Sequence, residues 1–439
     1  MTGAEHDQLR IEREDRLEVG GGELREALGL PLRDQRIGGD DAAAAHAVLA
    51  DAHLAVRVAA DQIGRESGFE GELHGRTILP VHEAVIVIAD LYLQSGEPPG
   101  GQPADLGAAA GLEFAGRFGE RERLAGGWRQ WLALWLGRAD LAGVSVAGVA
   151  AAALAGAAQQ RAGGAAAAEG AGAVTHWIAT PLELVAGLTR VHLDRRGIVR
   201  LAAEEQATLV ESFHCAFAGS GLTLQPLSDG QLLLTTAGIA ALATTEPARW
   251  AGGELEVPHG PAAASLLRLV AEIEMWLHGA PLNEARVARG APRVTTLWLW
   301  GAQGAAAAPG RAPRAPRANG GVREVAFGSD AFLAGLCHLT GAALQPLPEH
   351  PHALFAQQRA ERAVLVAELA RESPAAGPWR LAAATDMLDR RLIQPALAAL
   401  RSGLLERLSL IANDIRVTLG PRSGWKRWRR PRAGLAGFA

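Results

Sequence analysis

Apolar positions along the chain fall into short runs, alternating stretches and helical stripes, and these patterns set out the elements. Ala84-Val85-Ile86-Val87-Ile88-Ala89-Asp90 is a β-branched run bounded by polar residues, which predicts a fully buried strand of the parallel-sheet kind. Trp128, Trp131 and Trp135 recur at helical spacing, so three indoles share one face, most simply as core packing. Residues 161–174 are rich in Gly and Ala and read as a loop. Strand signals return over 175–199, including Thr189-Arg190-Val191-His192-Leu193. A helix is predicted at about 203–217, then strands at 222–226 and 231–236. Leu266, Val270, Ile273 and Leu277 mark a helix over 263–278; Gly279 ends it, and Pro281 starts another that stops at Gly290. Residues 294–300 alternate as a strand. A further helix-strand series ends in a closing strand, Leu408-Ser409-Leu410-Ile411. Strands alternating with helices in this way predict an α/β fold with a mainly parallel sheet and flanking helices.

The first eighty residues differ. Charges cluster in Glu12-Arg13-Glu14-Asp15-Arg16, and Gly20-Gly21-Gly22 and Gly38-Gly39 interrupt any helix. Residues 1–80 are therefore expected to be a poorly ordered extension, either genuine or the product of a mis-called start codon. Residues 309–321 are a Pro/Arg/Gly linker. One α/β domain is expected over 81–308 and 322–435, with an inserted α+β region.

Composition narrows the picture. Of 439 residues, 49% are hydrophobic, enough for a sizeable core. A net charge of -4 argues against a chain built to coat nucleic acid. Lys426 is the one lysine; Arg-for-Lys usage beside abundant Ala and Gly points to GC-rich coding. The apolar run at 141–158 is mostly Ala and Gly with some Val, too poor in Leu, Ile and Phe to insert into a bilayer. An Ala-rich helix is expected there, and a soluble, cytoplasmic chain overall. Cys215 and Cys337 are the only cysteines, which suits a reducing compartment. His214-Cys215 and Cys337-His338 suggest a zinc site on composition, but adjacent residues point in different directions and rarely share a metal. Two buried thiols are the expected reading.

Several constellations could carry chemistry. Asn283 and Arg286 stand three apart on a short helix and share a face; the arginine can bind a carboxylate or phosphate, or tie the helix to the next strand. His176, Arg190, His192 and Asp194 form either an anion pocket or a polar strand face. Glu349-His350-Pro351-His352 reads as a loop among prolines. There is no P-loop, dinucleotide fingerprint or zinc-finger spacing.

Three motifs carry a family resemblance. They are Glu272-Ile273-Glu274-Met275-Trp276-Leu277-His278 with Pro281-Leu282-Asn283-Glu284-Ala285-Arg286, Gly290 and Leu297-Trp298-Leu299-Trp300-Gly301; His176-Trp177 with Thr180-Pro181; and the tail Trp425-Lys426-Arg427-Trp428-Arg429-Arg430-Pro431-Arg432. Over roughly residues 82–435 the chain resembles the RpfE-type regulatory proteins. Its middle motif is also similar to one in the archaeal-type cofactor-independent phosphoglycerate mutases. That second resemblance implies an alkaline-phosphatase-like core with a two-metal site at the strand ends. It places Asp90 after the first strand and Asp414 after the last as the remnant metal ligands. The departures are plain: Leu91-Tyr92-Leu93 follows Asp90 without a glycine, no histidine follows Asp414, and no Ser or Thr stands in a nucleophile context between Asp90 and the tryptophan helix. The resemblance thus implies a metal-poor relative with a regulatory or binding role. No cofactor is then expected; a divalent Mn or Mg belongs to the alternative, an active phosphoglycerate mutase. The expected partner is a protein or a phosphorylated small molecule, with no membrane span and no nucleic acid.

Overall fold

The structure is a computed structural model. It describes residues 81–92, 109–161, 174–186, 191–193, 197–251, 253–302, 324–349, 362–369 and 381–423. The expected extension, the linker, the cationic tail, Arg190, Asp194 and residues 350–352 lie outside the described residues.

β1 (Val81–Ile88), α1 (Ala110–Phe118), β2 (Glu120–Arg123), α2 (Gly127–Trp135) and α3 (Val146–Arg161) come first. A middle region follows, with β3 (Val174–Leu182), β4 (Val185–Ala186), β5 (Val191–Leu193), α4 (Ala203–Ala216), β6 (Thr223–Pro226) and β7 (Leu232–Ala237). It continues with β8 (Gly253–Glu254), α5 (Ala264–His278), α6 (Pro281–Ala288) and β9 (Thr296–Trp300). The last part holds β10 (Glu324–Phe327), α7 (Ala331–Thr340), β11 (Ala343–Gln345), β12 (Arg362–Ala367), α8 (Leu381–Leu388), α9 (Gln394–Arg401), β13 (Leu405–Ala412) and β14 (Ile415–Leu419).

The first and last parts build one seven-stranded sheet in the order β11-β10-β12-β1-β13-β14-β2. Its first five strands run parallel, and β14 and β2 close it antiparallel. β1 sits in the middle, and its alternation feeds two cores. Ala84, Ile86 and Ile88 pack with α1, α8 and α9, whereas Val85, Val87 and Ala89 pack with α2, α3 and α7. Burial on both faces is why the run reads as continuously apolar. The expected closing strand is β13, but it is not the last. Asn413 and Asp414 adopt φ of 51° and 56°, the left-handed pair of a two-residue hairpin turn, and β14 returns beside β13.

The middle region forms a separate antiparallel sheet, β6-β7-β3-β9, in keeping with an α+β region placed between the two parts of the parallel sheet. On β9, Leu297 and Leu299 face α4 and α5, while Trp298 and Trp300 face α3. The run at 141–158 supplies most of α3, which lies between the two sheets, with Val149 in one core and Ala147 and Ala150 in another. Among the described residues, no helix is long and apolar enough to cross a membrane. Of the three stacked-face indoles, Trp128 is buried while Trp131 and Trp135 are half-buried, with Arg416 and Arg362 over their rings.

Candidate functional site

Parallel strands deliver their C-terminal ends to one edge of a sheet, and in α/β folds that edge is where ligands bind. Here it collects charge. Asp90 follows β1, Asp330 follows β10, Glu368 follows β12 and Asp414 follows β13. The middle region adds Arg200, Asp229, Glu246 and Arg249, and α2 adds Arg129.

The carboxylates meet arginines or backbone donors. Arg129 donates to both oxygens of Glu246 at 2.8 Å each and lies 3.7 Å from Asp330. Its guanidinium stands over the rings of Trp128 and Trp300, 4.4 Å and 5.1 Å from their centroids. Arg249 reaches Asp414 at 2.5 Å and stands over Tyr92, whose hydroxyl donates to Glu246 at 3.3 Å. Arg200 reaches Glu368 at 2.5 Å. Asp90 accepts from the Leu369 amide at 2.6 Å, and Asp330 caps α7 through the Leu333 amide at 2.9 Å.

Burial and pairing compete for each charge. At Glu246, burial raises the carboxyl's pKa, but the Arg129 pair outweighs it and holds the group below its usual range. For Arg129, burial favours the neutral form, yet Glu246 and Asp330 hold the proton more firmly than usual. Asp330 goes the other way: burial raises its pKa, and the neighbouring Asp229 adds to this against Arg129. Burial, followed by Glu246, pushes the Tyr92 phenol well above its ordinary value.

The residues singled out by sequence are placed as follows. Asn283 donates to the carbonyls of Leu277 at 2.8 Å and Val294 at 2.9 Å, and accepts from the Val294 amide. Arg286 donates to the Pro292 carbonyl at 2.6 Å and pairs with Glu205 at 2.6 Å. Asn283 thus ties the end of α5 to the residue that leads into β9, while Arg286 ties α6 to the Pro292 carbonyl and, through Glu205, to α4. His176, on β3, shares a hydrogen bond with Thr235 at 3.0 Å, and burial lowers its pKa. His192 is on β5 in the small β4-β5-β8 sheet, so the two histidines sit in different sheets. Cys337 is buried, its thiol pushed up to about 12 by burial. Cys215 is exposed, contrary to the expectation of two buried thiols, because its helix position faces solvent. Asp90 and Asp414 do reach the sheet edge, with the partners given above.

A two-metal centre needs Asp and His ligands converging on two cations. Among the described residues, one group of three metal-type side chains has ligand atoms within 4.8 Å of one another: Asp229, Asp330 and Glu368, all buried. No histidine belongs to it, nor do Asp90 and Asp414. Its oxygens face protein donors: Arg200 on Glu368, the Leu333 amide on Asp330, and the Gln231 and Ala331 amides on Asp229. These residues do not fit a two-metal centre.

The chain is a mixed α/β protein with a mostly parallel central sheet. No protein-family model matches it, and no curated relative does. Among solved structures it is similar to the cofactor-independent phosphoglycerate mutase from Thermoplasma acidophilum DSM 1728, at 14% identity and a TM-score of 0.32, covering 78% of this chain and 90% of that one. It is also similar to the PH0037 protein from Pyrococcus horikoshii, at 11% identity and a TM-score of 0.39, covering 78% of this chain and 88% of that one. Neither likeness bears on chemistry.

Proposed function

We propose that this protein is a metal-poor relative of the cofactor-independent phosphoglycerate mutases, with an alkaline-phosphatase-like core, that binds a phosphorylated small molecule or a protein partner at its sheet edge and does not turn it over. The single observation that carries this is the set of arginines at that edge. Where a two-metal enzyme would neutralise strand-end carboxylates with cations, Arg200 and Arg249 neutralise Glu368 and Asp414 here, and Arg129 takes the Glu246 that the middle region brings to the same edge. A guanidinium held in this way competes with a divalent ion for the same oxygens. The regulatory half of the reading rests on the RpfE-type sequence motifs. Calorimetric titration with manganese and a coupled phosphoglycerate mutase assay test it together. The expected result is no stoichiometric manganese binding and no manganese-dependent turnover; either one, if seen, overturns the proposal.

The second reading, a metal-dependent phosphotransfer enzyme, is favoured by the buried Asp229, Asp330 and Glu368 group. Three carboxylates so close repel one another, and a hard cation with oxygen ligands relieves that. Turnover lost on replacing Glu368 with Gln would establish it.

A further inference from the structure

The chain between β7 and β8 is long for a compact domain, and its described residues hold one short helical turn, Pro247–Arg249. Loops of this length commonly act as lids or binding segments. Its two halves are held differently. The root is tied to the antiparallel sheet, where Thr175 donates to the Ile239 carbonyl at 2.7 Å, Thr244 to Leu299 at 2.8 Å and Trp298 to Thr245 at 2.9 Å. The head docks on the parallel-sheet edge through Glu246 on Arg129 and Tyr92, and through Arg249 on Asp414.

The Glu246 contact has the form of a bound ligand. Its carboxylate takes two parallel hydrogen bonds from Arg129, whose guanidinium is flanked by Trp128 and Trp300, and a third from Tyr92. Such a bidentate fork recognises carboxylates and phosphates from any source. We propose that the 238–250 segment is a displaceable strap in which Glu246 stands in for an anionic ligand, so that a small phosphate or carboxylate takes the Arg129 fork when the strap head lifts. This deepens the binding reading above and depends on the sheet edge being the ligand site.

The full-length protein tests it by hydrogen-deuterium exchange and calorimetric titration with inorganic phosphate. Glu246→Gln keeps the side chain's shape and removes its charge. In that variant, exchange over 238–250 should rise about tenfold, as expected on losing a charge-assisted hydrogen bond, while β1, β12 and β13 keep their protection. Phosphate affinity should rise by about tenfold or more, and adding Arg129→Met should abolish the gain. Glu324→Gln is the control, since it removes one of the two carboxylates paired with Arg362 at the opposite end of the strands. Unchanged exchange over 238–250, a rise spread through the central strands, or an equal phosphate gain in the Glu324→Gln control would overturn the strap. Manganese-dependent turnover in the unaltered protein would instead overturn the non-catalytic reading, whatever the strap does.

Discussion

Arg129 and Glu246 join the two sheets: the guanidinium from α2 and the carboxylate from the 238–250 segment meet through two bonds of 2.8 Å, with only about a tenth of either side chain exposed. Removing the guanidinium leaves the buried Glu246 carboxylate without its hydrogen-bonded cation, whereas Arg129 without Glu246 still faces Asp330 at 3.7 Å. We expect Arg129→Met to cost about 3–5 kcal/mol in urea denaturation, with part of the loss recovered when Glu246→Gln is added. Strictly additive losses would show that the pair is not coupled.

Asp330 gives a pH signature of opposite sign from Glu246. Its folded pKa is raised by burial and by Asp229, so its charged form is the strained one, and that strain fades as pH falls from its folded pKa towards its unfolded one. Asn can still cap α7, so Asp330→Asn should match or exceed the unaltered protein's melting temperature near neutral pH. The gap should close by about pH 4, near the unfolded value. Glu246, with its depressed pKa, contributes stability above its unfolded pKa and loses it as pH falls through the folded value. Glu246→Gln should therefore flatten the acid limb of the melting-temperature profile.

Gly127 opens α2 at φ +74°, and a Cβ there would lie 3.1 Å from Asp414 Oδ1 and 3.3 Å from Arg249 Nη2. Gly127→Ala should cost about 1–2 kcal/mol from the left-handed backbone alone. It should also loosen the Arg249–Asp414 pair, raising exchange over 238–250 while α4 and α5 stay protected.

Asp389 is fully buried, and it accepts from the Gly111 and Leu112 amides at 3.0 Å and 2.9 Å and from Gln394 at 2.8 Å. It caps α1 from the far end of the chain. Asp389→Ala leaves these donors buried without a partner, and a loss of about 2–3 kcal/mol is expected in chemical denaturation. Fluorescence from Trp128 should not change before global unfolding.

Periodicity made much of this fold legible. The buried β1, the α5–Gly279–α6 succession and the alternating β9 all follow from local patterns that long segments carry in their own residues. The charged edge was far less visible. Arg129 lies inside the tryptophan stripe of α2, and Glu246 and Arg249 lie in an irregular segment without period. Asp229 occupies a turn, and nothing local links these to the strands they meet. One signal was available: an acidic residue follows closely on each of the apolar runs of β1, β10, β12 and β13, and parallel strands must bring those residues to one side. Family resemblance points only to Asp90 and Asp414, whereas Asp330 and Glu368 follow runs of the same kind.

α3 shapes how the molecule can be taken apart. Its alanines and glycines let it lie between two sheets, and Gly335 of α7 approaches so closely that a Cβ there would sit 1.9 Å from the Val149 carbonyl. On the side of Ile178, Leu233, Trp298 and Trp300, the described residues of the 174–302 segment therefore share their core with Ala147 and Ala150 of α3 and Ala331 of α7, and rely on them for part of their cover. Cut out as a module and grafted elsewhere, it would carry a raw indole-lined surface seeking cover. Recombination between relatives would then have to carry α3 with the segment it shields, whatever the linear order of the gene suggests.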